Sequence, residues 1–381
     1  MISTRVSGRS SRQDCPWNWR NDSQRASKPV SIPSPERFPE PRTVRDQLED
    51  RERRSLSGFA ALAAESRGRQ RPETEHDYRT AFQRDRDRIL HSKAFRRLKQ
   101  KTQVFLAPQG DHYRTRLTHT LEVSQIARTV ARALNLNEDL TEAVALGHDL
   151  GHTPFGHAGE AVLNEVFEPG FRHFEQSLRV VDLLESTRHG HGLNLTFEVR
   201  DGILNHSRSK GILTGKDSSG SATLEANVVS ICDAVAYINH DIDDAIRSGL
   251  ITLDDLPGAA IAVLGRTSSE RINRMVIALI EGCRDGSIGM TEDVREATAE
   301  LRAYLYRNLY PCEAINNEIE KAKKILRELY YHLLAHPTKE SSAGQASDSL
   351  ERRTVDFIAG MTDSYALQLY TSVFFPKSWP A

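Results

Sequence analysis

The side chains best suited to chemistry lie in residues 147–157, GHDLGHTPFGH, at the end of an apolar run. Neutral imidazole nitrogens and carboxylate oxygens both bind divalent cations, so the adjacent His148 and Asp149 can offer one nitrogen and one oxygen to the same ion. Neighbouring residues on a helix point in different directions and cannot enclose an ion alone. The stretch therefore indicates half of a metal site, whose other ligands should come from separate helices.

Two predicted helices direct histidines towards a common core. The first begins at Thr118 and runs to about residue 134, and the spacing of its apolar residues places His119 on the inward face. A lone inward histidine is usually a satisfied core residue, but the second helix, 138–148, ends in His148 on its own apolar face. Burying His148 beside Asp149 is costly unless the two are paired or bind a metal.

A third helix, predicted over 224–246, supplies the remaining hard oxygen. Asp233, Tyr237 and Asp241 recur every four residues beside its apolar face. A solvent-exposed stripe normally mixes Lys and Glu, so a stripe of acid, phenol and acid favours a functional face over an ordinary polar helix surface. Asp233 is the predicted fourth metal ligand, after one histidine on the first helix and the His-Asp pair on the second.

A basic segment precedes these helices. Between Arg84 and Arg116 the chain has ten Lys or Arg and three Asp, with an apolar stripe through the middle. Such a segment is either a solvated basic helix face or a patch that binds phosphates, which arginine does through two parallel hydrogen bonds. Gln103 and Arg116 flank the first metal-binding helix, so both could reach its site.

Composition limits the classes of protein to which the chain can belong. It has 381 residues, 38% hydrophobic and 27% charged, and its net charge of -1 excludes a globally basic nucleic-acid binder. No run of about 18 apolar residues indicates a membrane span, and the N-terminus lacks the apolar region of a signal peptide. Four dispersed cysteines without CxxC spacing support neither a zinc ribbon nor a disulfide framework. We therefore expect a cytoplasmic protein without a membrane function.

Periodicity divides the chain into three regions. Residues 1–50 are rich in Ser, Arg and Pro and are predicted to be a disordered tail, with a transit peptide or a start site assigned too far upstream as alternatives. Residues 51–265 hold the predicted catalytic core with its basic segment, and residues 266–381 form a C-terminal helical region packed on it. Further helices are predicted at 56–64, 269–283, 292–307, 313–335 and 350–372, with a flexible connection over 337–349. Few alternating patterns typical of strands occur, so the predicted fold class is all-α.

The order H…HD…D of these residues is that of the HD-domain phosphohydrolases, and the ordered motifs resemble the bacterial dGTPase-like deoxynucleoside triphosphate triphosphohydrolases. The resemblance covers roughly residues 52–375. Its segments are 82–88 (FQRDRDR), 101–105 (KTQVF), 114–123 (RTRLTHTLEV), 147–157, Ala236-Tyr237, His240-Asp241 and 357–363 (FIAGMTD). So many motifs in one order argue against chance. The implied fold is an all-α HD-domain helical core with additional C-terminal helices.

The resemblance implies roles for twelve side chains. The family's metal ligands are matched by His119, His148, Asp149 and Asp233, and its positions near the scissile α-phosphate by His152, Glu160 and His173. Phosphate contacts are matched by Arg116 and His157, and the deoxyribose pocket by Gln103, Tyr237 and Asp241. The implied cofactor is a divalent ion, Mg²⁺, Mn²⁺ or similar. His152 and Glu160 are the predicted acid/base pair, and His152 is preferred over His173 as the proton donor to the leaving oxygen.

The resemblance also implies a function, the metal-dependent hydrolysis of deoxynucleoside triphosphates at the α-phosphorus to deoxynucleoside and inorganic triphosphate. A dNTP activator, a homo-oligomer and single-stranded DNA as a partner are compatible with it. The alternatives are another HD-type nucleotide phosphohydrolase, such as a monophosphatase or a cyclic-dinucleotide phosphodiesterase, and a non-catalytic nucleic-acid-binding or regulatory module. The sequence leaves open the preferred base, the native metal and the order of the oligomer.

Overall fold

The structure is a computed structural model that describes residues 43–103, 114–187, 190–207, 220–284, 286–345 and 347–376. Within these ranges the chain forms fifteen α-helices, and its strands are one short antiparallel pair, Ser186–Thr187 with Gly190–His191. The predicted all-α fold class is therefore confirmed. Across the same ranges, no helix is both long enough and apolar enough to cross a membrane.

The helices follow one another along the chain with mostly short connections. In order they are α1 (Val44–Ser55), α2 (Ala81–Leu90), α3 (Lys93–Arg97), α4 (Arg116–Ala133), α5 (Glu138–Gly147), α6 (His157–Val166), α7 (His173–Arg179), α8 (Phe197–Asn205), α9 (Leu224–Arg247), α10 (Gly258–Leu264), α11 (Ser268–Gly282), α12 (Glu292–Tyr304), α13 (Glu313–Ala335), α14 (Leu350–Ala359) and α15 (Asp363–Phe374). Single π-helical turns, Val180–Leu184 and Leu305–Leu309, continue α7 and α12.

The main core is built around α5. This helix packs against α2, α4, α8 and α9, and seven of its ten residues are buried. Small residues let α8 approach closely, because a Cβ atom at Gly202 would lie 2.6 Å from a methyl carbon of Val144, and one at Gly147 would lie 2.6 Å from Ile203. Neighbouring helices therefore enclose α5, and its C-cap residue, His148, is buried in the interior of the protein.

A second apolar cluster holds the C-terminal helices. Leu326 of α13, Ile358 of α14 and Ala366 of α15 are buried in one cluster with Val162 and Leu163 of α6. The helices α10, α11 and α12 instead contribute to the main core. The C-terminal region thus packs in two places, one of them on the helix that directly follows the GHDLGHTPFGH stretch. Its separation from the catalytic core at residues 265 and 266 remains a prediction.

The N-terminal boundary differs from the prediction. Residues 44–50, which were assigned to the disordered tail, form the first turns of α1, where Thr43 and Asp46 make a reciprocal capping box. The absence of an apolar period was misleading, because α1 buries no residue completely and is stabilised at its start by capping. Residues 1–42 lie outside the described residues, and the tail prediction remains untested there.

Three helix predictions also need correction. Residues 56–62 are not helical and lead into a 3₁₀ turn at Ala63–Glu65. The first metal-binding helix starts earlier than predicted, since Thr115 is the N-cap of α4. The predicted helix 350–372 is divided into α14 and α15, because the chain turns at Gly360 and Thr362 caps the second helix with its side chain.

Glu52 of α1 accepts a hydrogen bond from the backbone N of Ala63, 2.8 Å away. Burial raises the pKa of this carboxyl from 4.5 to about 7, so between these values the folded protein holds a proton that the unfolded chain has released. Stability therefore falls as pH rises through this window. The variant Glu52→Gln stays neutral, and its urea midpoint should exceed that of the wild type at about pH 8 but not at about pH 5. Equal midpoints at the higher pH would contradict this prediction.

Candidate active site

The four predicted metal ligands lie where three helices meet. His119 belongs to the first turn of α4, His148 and Asp149 directly follow α5, and Asp233 lies within α9. Oδ1 of Asp233 lies 3.0 Å from His119 Nε2 and 3.9 Å from His148 Nε2. His148 Nε2 also lies 3.3 Å from Oδ1 of Asp149. Three helices thus bring nitrogen and oxygen atoms into one small volume.

The orientation of His148 fits a bound cation. Its Nδ1 donates to the carbonyl oxygen of Ala145, 2.7 Å away, which leaves the lone pair on Nε2. That nitrogen is buried and has no hydrogen-bond partner among the described residues, although the carboxylates of Asp149 and Asp233 face it. A buried acceptor beside two anions is unfavourable by itself. A divalent cation would satisfy all these groups, so a donor set of two imidazoles and two carboxylates fits such an ion.

Two further residues contact His119, directly or in sequence, on its Nδ1 side. Nδ1 of the buried His240 lies 3.5 Å from His119 Nδ1, and His240 Nε2 contacts the carboxylate of Glu122. A chain of carboxylate and imidazole of this kind orients a metal-binding histidine. No role was predicted for His240 or Glu122, although both lie in segments that carry the family resemblance, His240-Asp241 and 114–123.

Opposite charges keep the buried acids ionised. Burial opposes ionisation of Asp149, but the neighbouring histidines and Arg116 outweigh it and hold the pKa of this carboxyl well below its usual value. Arg116 Nη1 donates to Oδ2 of Asp149 at 2.8 Å, and both side chains are almost fully buried. At Asp233 burial again opposes ionisation, but the hydrogen bond with His119 and the electrostatic influence of His148 and His119 together lower the pKa. Both acids are therefore carboxylates at neutral pH.

Three histidines and a glutamate form a second cluster beside the first. The rings of His152 and His173 stack, with their centroids 4.0 Å apart and their planes 13° from parallel. His173 Nδ1 lies 3.0 Å from Oε2 of Glu160, and its Nε2 lies 3.3 Å from Nε2 of His206. The two clusters are joined by His152, whose Nε2 lies 3.2 Å from Oδ1 of Asp149.

Glu160 forms its hydrogen bonds with residues other than the predicted partner. Its carboxylate bonds to His173 and, at 3.2 Å, to His157, instead of pairing with His152. The contact with His157 is local, because α6 begins at His157 and residues three positions apart lie on the same helix face. These two hydrogen bonds outweigh burial and lower the pKa of Glu160. Burial, with further contributions from Arg116 and His173, lowers the pKa of His152 well below its usual value, so this ring is neutral in the free protein.

A cavity of about 500 Å³ opens onto both clusters. Ten of the twelve predicted side chains line it, namely Gln103, Arg116, His119, Asp149, His152, His157, His173, Asp233, Tyr237 and Asp241. The other two, His148 and Glu160, lie behind these and contact them. The walls that were not predicted consist of Phe155, Ala158, His206, Ser207, Tyr306, Tyr310, Ile315 and Ile319.

Some of the cavity-lining residues that were not predicted could have been found from the sequence. His206 continues the inward face of α8 and donates its Nδ1 proton to the carbonyl oxygen of Ile203 at 2.7 Å, and burial lowers its pKa to about 3. Tyr306 and Tyr310 lie four residues apart, a spacing typical of one helix face. The π turn at Leu305–Leu309 shifts the helical phase there, so the regular period that would predict their direction is lost.

The acid-phenol-acid stripe of α9 reaches the cavity as predicted. Asp241 Oδ2 accepts a hydrogen bond from the hydroxyl of Tyr310 at 2.5 Å, and the hydroxyl of Tyr237 accepts one from Arg302 Nε at 2.7 Å. Burial raises the pKa of Asp241 to about 7. In the same cavity, Gln103 Oε1 is buried without a hydrogen-bond partner among the described residues. This part of the cavity combines polar groups with aromatic walls.

Most of the basic segment does not face the cavity. On α2, Arg84 forms an ion pair with Glu73, and Arg86 forms one with Asp139. Of the cations counted between positions 84 and 116, Arg116 is the one that lines the cavity. The arginines of α2 thus pair with Glu73 and Asp139 outside the cavity, and phosphate binding by this part of the segment stays a prediction.

Comparison with known proteins identifies relatives along most of the chain. Residues 116–238 match the HD domain, and residues 288–372 match the phosphohydrolase-associated domain. A deoxyguanosinetriphosphate triphosphohydrolase-like protein from Caldanaerobacter subterraneus is 54% identical over 340 residues, which are 88% of this chain and 97% of that protein. A protein of the same name from Desulfatibacillum aliphaticivorans is 51% identical over 348 residues, covering 88% and 99% of the two chains. One from Geobacter metallireducens is 42% identical over 371 residues, covering 85% and 96%.

The backbone of α7 packs closely against Gly151, and this contact can be tested by substituting alanine for the glycine. A Cβ at Gly151 would lie 2.1 Å from the backbone N of Ser177 and 2.4 Å from the carbonyl oxygen of His173. Because backbone atoms cannot rotate away, Gly151→Ala should displace α7 and lower the free energy of unfolding by at least about 1–3 kcal/mol. Gly258→Ala is the matched control, since a Cβ there meets nothing within 4 Å and alanine favours helix α10. Equal stability of the two variants in urea would contradict the packing described here.

Proposed function

The chain belongs to the deoxyguanosinetriphosphate triphosphohydrolase-like family of HD-domain proteins, and from this premise we propose that it hydrolyses deoxynucleoside triphosphates in a metal-dependent reaction. Water attacks the α-phosphorus, the bond to the 5′-oxygen breaks, and deoxynucleoside and inorganic triphosphate leave. The observation that carries the proposal is the convergence of ten predicted side chains on one cavity of about 500 Å³. The cavity has cationic, acidic and aromatic walls, which suit the phosphate, sugar and base of a nucleotide.

We assign the metal centre to the site at which α4, α5 and α9 meet. Its proposed ligands are His119, His148, Asp149 and Asp233. A bound Mg²⁺, Mn²⁺ or similar ion would act there as a Lewis acid towards the phosphate and would lower the pKa of water. Arg116 holds the carboxylate of Asp149 at 2.8 Å, so the oxygen that faces His148 is fixed in place. His240 does the same for the ring of His119.

Phosphate binding is assigned to Arg116 and His157. Arg116 contacts Asp149 through Nη1, while its Nε is buried without a hydrogen-bond partner among the described residues. His157 lies at the mouth of the cavity with 73% of its side chain exposed. An incoming triphosphate would thus meet one buried cation and one exposed imidazole. Guanidinium groups bind phosphate oxygens with good geometry, which makes Arg116 the principal anchor.

Protonation of the leaving 5′-oxygen is assigned to His152. Burial keeps this ring neutral in the free protein, but the negative charge of a triphosphate beside it would favour its protonated form. His173 stacks on His152 at 4.0 Å and is held on its Nδ1 side by Glu160 at 3.0 Å. The pair of His173 and Glu160 is the alternative donor, because a carboxylate stabilises an imidazolium ion.

The deoxyribose is assigned to the part of the cavity formed by Gln103, Tyr237 and Asp241. The free Oε1 of Gln103 can accept a hydrogen bond from the 3′-hydroxyl, and the carboxyl of Asp241 lies beside the hydroxyl of Tyr310. The aromatic rings of Tyr237 and Tyr310 limit the space around the sugar. A close fit of this kind discriminates against a ribose, whose additional 2′-hydroxyl needs room and a partner.

The proposal is tested by a product assay with each of the four dNTPs, singly and mixed, in Mg²⁺, Mn²⁺ or EDTA. Deoxynucleoside and intact triphosphate, formed only with metal, are the expected products. Monophosphate and pyrophosphate would mean that a different bond is cut and would favour another HD-type phosphohydrolase. No metal-dependent product, together with DNA binding that weakens steeply with salt, would favour the binding module.

Removal of one proposed metal ligand should abolish metal-dependent activity without unfolding the protein. Asp233→Ala takes a carboxylate from the metal centre and should lower turnover by about 10³-fold or more at every Mn²⁺ concentration, with helical circular dichroism unchanged. The control is Asp254→Ala, since that side chain is 87% exposed and pairs only at the surface with Arg266. Mn²⁺ titration calorimetry and the product assay check both variants. An Asp233→Ala protein that regains activity in excess metal would refute the ligand assignment.

The cellular compartment, oligomeric state and further binding partners of the enzyme are also part of the proposal. We propose a cytoplasmic homo-oligomer, and the free thiols of Cys232, Cys283 and Cys312 suit a reducing compartment. A dNTP activator would be seen in the assay as a nucleotide whose addition allows the cleavage of another dNTP that is not cleaved alone. Single-stranded DNA is retained as a further partner, to be tested by filter binding at several salt concentrations.

A further inference from the structure

The turn that carries His152 into the cavity has a strained backbone. Phe155 has a φ of 59° and Gly156 a φ of 57°. A non-glycine residue in this conformation costs about 1–3 kcal/mol and persists only where its surroundings impose it. Inside the turn, the hydroxyl of Thr153 donates to the carbonyl oxygen of Gly156 at 2.8 Å. The rest of the restraint comes from other parts of the chain.

Asp363, the first residue of α15, provides one such restraint. Its Oδ1 accepts a hydrogen bond from the backbone N of Phe155 at 3.0 Å. Its Oδ2 accepts two more from Thr102, one from the backbone N at 2.9 Å and one from the hydroxyl. The residue is only 8% exposed, so three donors surround a carboxylate that water barely reaches. A C-terminal helix is thereby tied both to the strained turn and to the segment that precedes α4.

Lys101 makes a parallel link one residue earlier. This lysine is 2% exposed, and its Nζ donates to the carbonyl oxygen of Ala359 at 2.8 Å and to that of His152. Ala359 is the last residue of α14. The buried side-chain nitrogen donates to a carbonyl group at a helix end, where the helix itself supplies no donor, and to one at the start of the turn. The end of α14 and the backbone of His152 are therefore joined through a single nitrogen atom.

The same segment also positions Arg116. The backbone N of Arg116 donates to the carbonyl oxygen of Lys101 at 3.0 Å, and Thr102 forms an antiparallel bridge with Thr115. A Cβ atom at Gly156 would lie 2.8 Å from Nη2 of Arg116, so the turn and the arginine pack without spare room. Displacement of the segment would move both side chains relative to the cavity.

We propose that Lys101 and Asp363 are positioning residues, through which the connection between α14 and α15 holds the turn from His152 to Gly156 in the geometry that proton transfer needs. The inference rests on the proposed function, since it requires that His152 acts on the substrate. Neither Lys101 nor Asp363 lines the cavity. Because Ala359 and Asp363 belong to the phosphohydrolase-associated domain, residues 288–372, that domain takes part in catalysis through the turn.

The sharpest test compares two substitutions at Thr102. Thr102→Val has nearly the same shape but lacks the hydroxyl that donates to Asp363, whereas Thr102→Ser keeps it. We expect kcat to fall by about tenfold in Thr102→Val and to recover in Thr102→Ser. Asp363→Asn puts an amide N–H against one of the three donors, and it should lower kcat by about 10- to 100-fold. Tyr370→Phe is the control on α15, because it removes a hydroxyl donor to Glu328 at 2.5 Å, away from the turn.

Positioning is distinguished from general loosening by which constants change. The metal ligands lie on α4, directly after α5 and on α9, so the Mn²⁺ concentration for half-maximal activity should stay within about twofold in Thr102→Val and Asp363→Asn. KM for the dNTP should rise, because the same segment carries Gln103 and positions Arg116. Wild-type kcat in these two variants would overturn the inference. So would a parallel loss of kcat, metal affinity and melting temperature. A wild-type protein that hydrolyses no dNTP would overturn the proposed function first, and the inference with it.

Discussion

The structure depends on offsetting the cost of placing two carboxylates, Asp149 buried and Asp233 half-buried, among several imidazoles in a helical core. Neither Asp149 nor Asp233 could remain ionised there alone. Arg116 compensates the first at 2.8 Å, and His119 compensates the second at 3.0 Å. Each partner also fixes the direction of the carboxylate that it contacts. The same contacts that make the burial tolerable therefore leave oxygen atoms facing His148, and this arrangement prepares the site for a cation.

Close packing of helices makes such burial possible. α5 is surrounded by four other helices, and the glycines at positions 147 and 202 let α8 approach without a gap. Backbone carbonyl groups at the helix ends then orient the rings, as Ala145 does for His148 and Ile203 does for His206. The site is thus assembled from rigid elements, and its one strained segment, the turn at Phe155, is restrained from outside the HD domain.

The helices α4, α5 and α9 and the direction of their histidines and Asp233 could be predicted from the sequence, because local periodicity determines both. The 3.6-residue period placed His119, His148 and Asp233 on inward faces, and α4, α5 and α9 lie within a few residues of the predicted limits. The partners of these elements could not be predicted in the same way. Glu160 bonds to His173 on another helix, and the ion pairs of α2 join residues that are far apart in the chain.

Long-range contacts account for the other failures. Nothing near Lys101 in the sequence indicates that its ammonium group meets Ala359, 258 residues later. The break between α14 and α15 at Gly360 looked like part of one helix, although that break brings Asp363 to the turn. At Tyr306 and Tyr310 the cause is different, since a π turn changes the period on which a local prediction depends.

Most of the cavity wall comes from two parts of the chain that match different domain families. The clustered histidines and carboxylates His119, Asp149, His152 and Asp233 come from the segment 116–238, whereas Tyr306, Tyr310, Ile315 and Ile319 come from the segment 288–372. Substitutions at Ile315 and Ile319 would reshape the space around a ligand without removing a polar group from the cavity. A protein built in this way can diverge in what it accepts while conserving what it does, as long as the two segments stay joined at the turn.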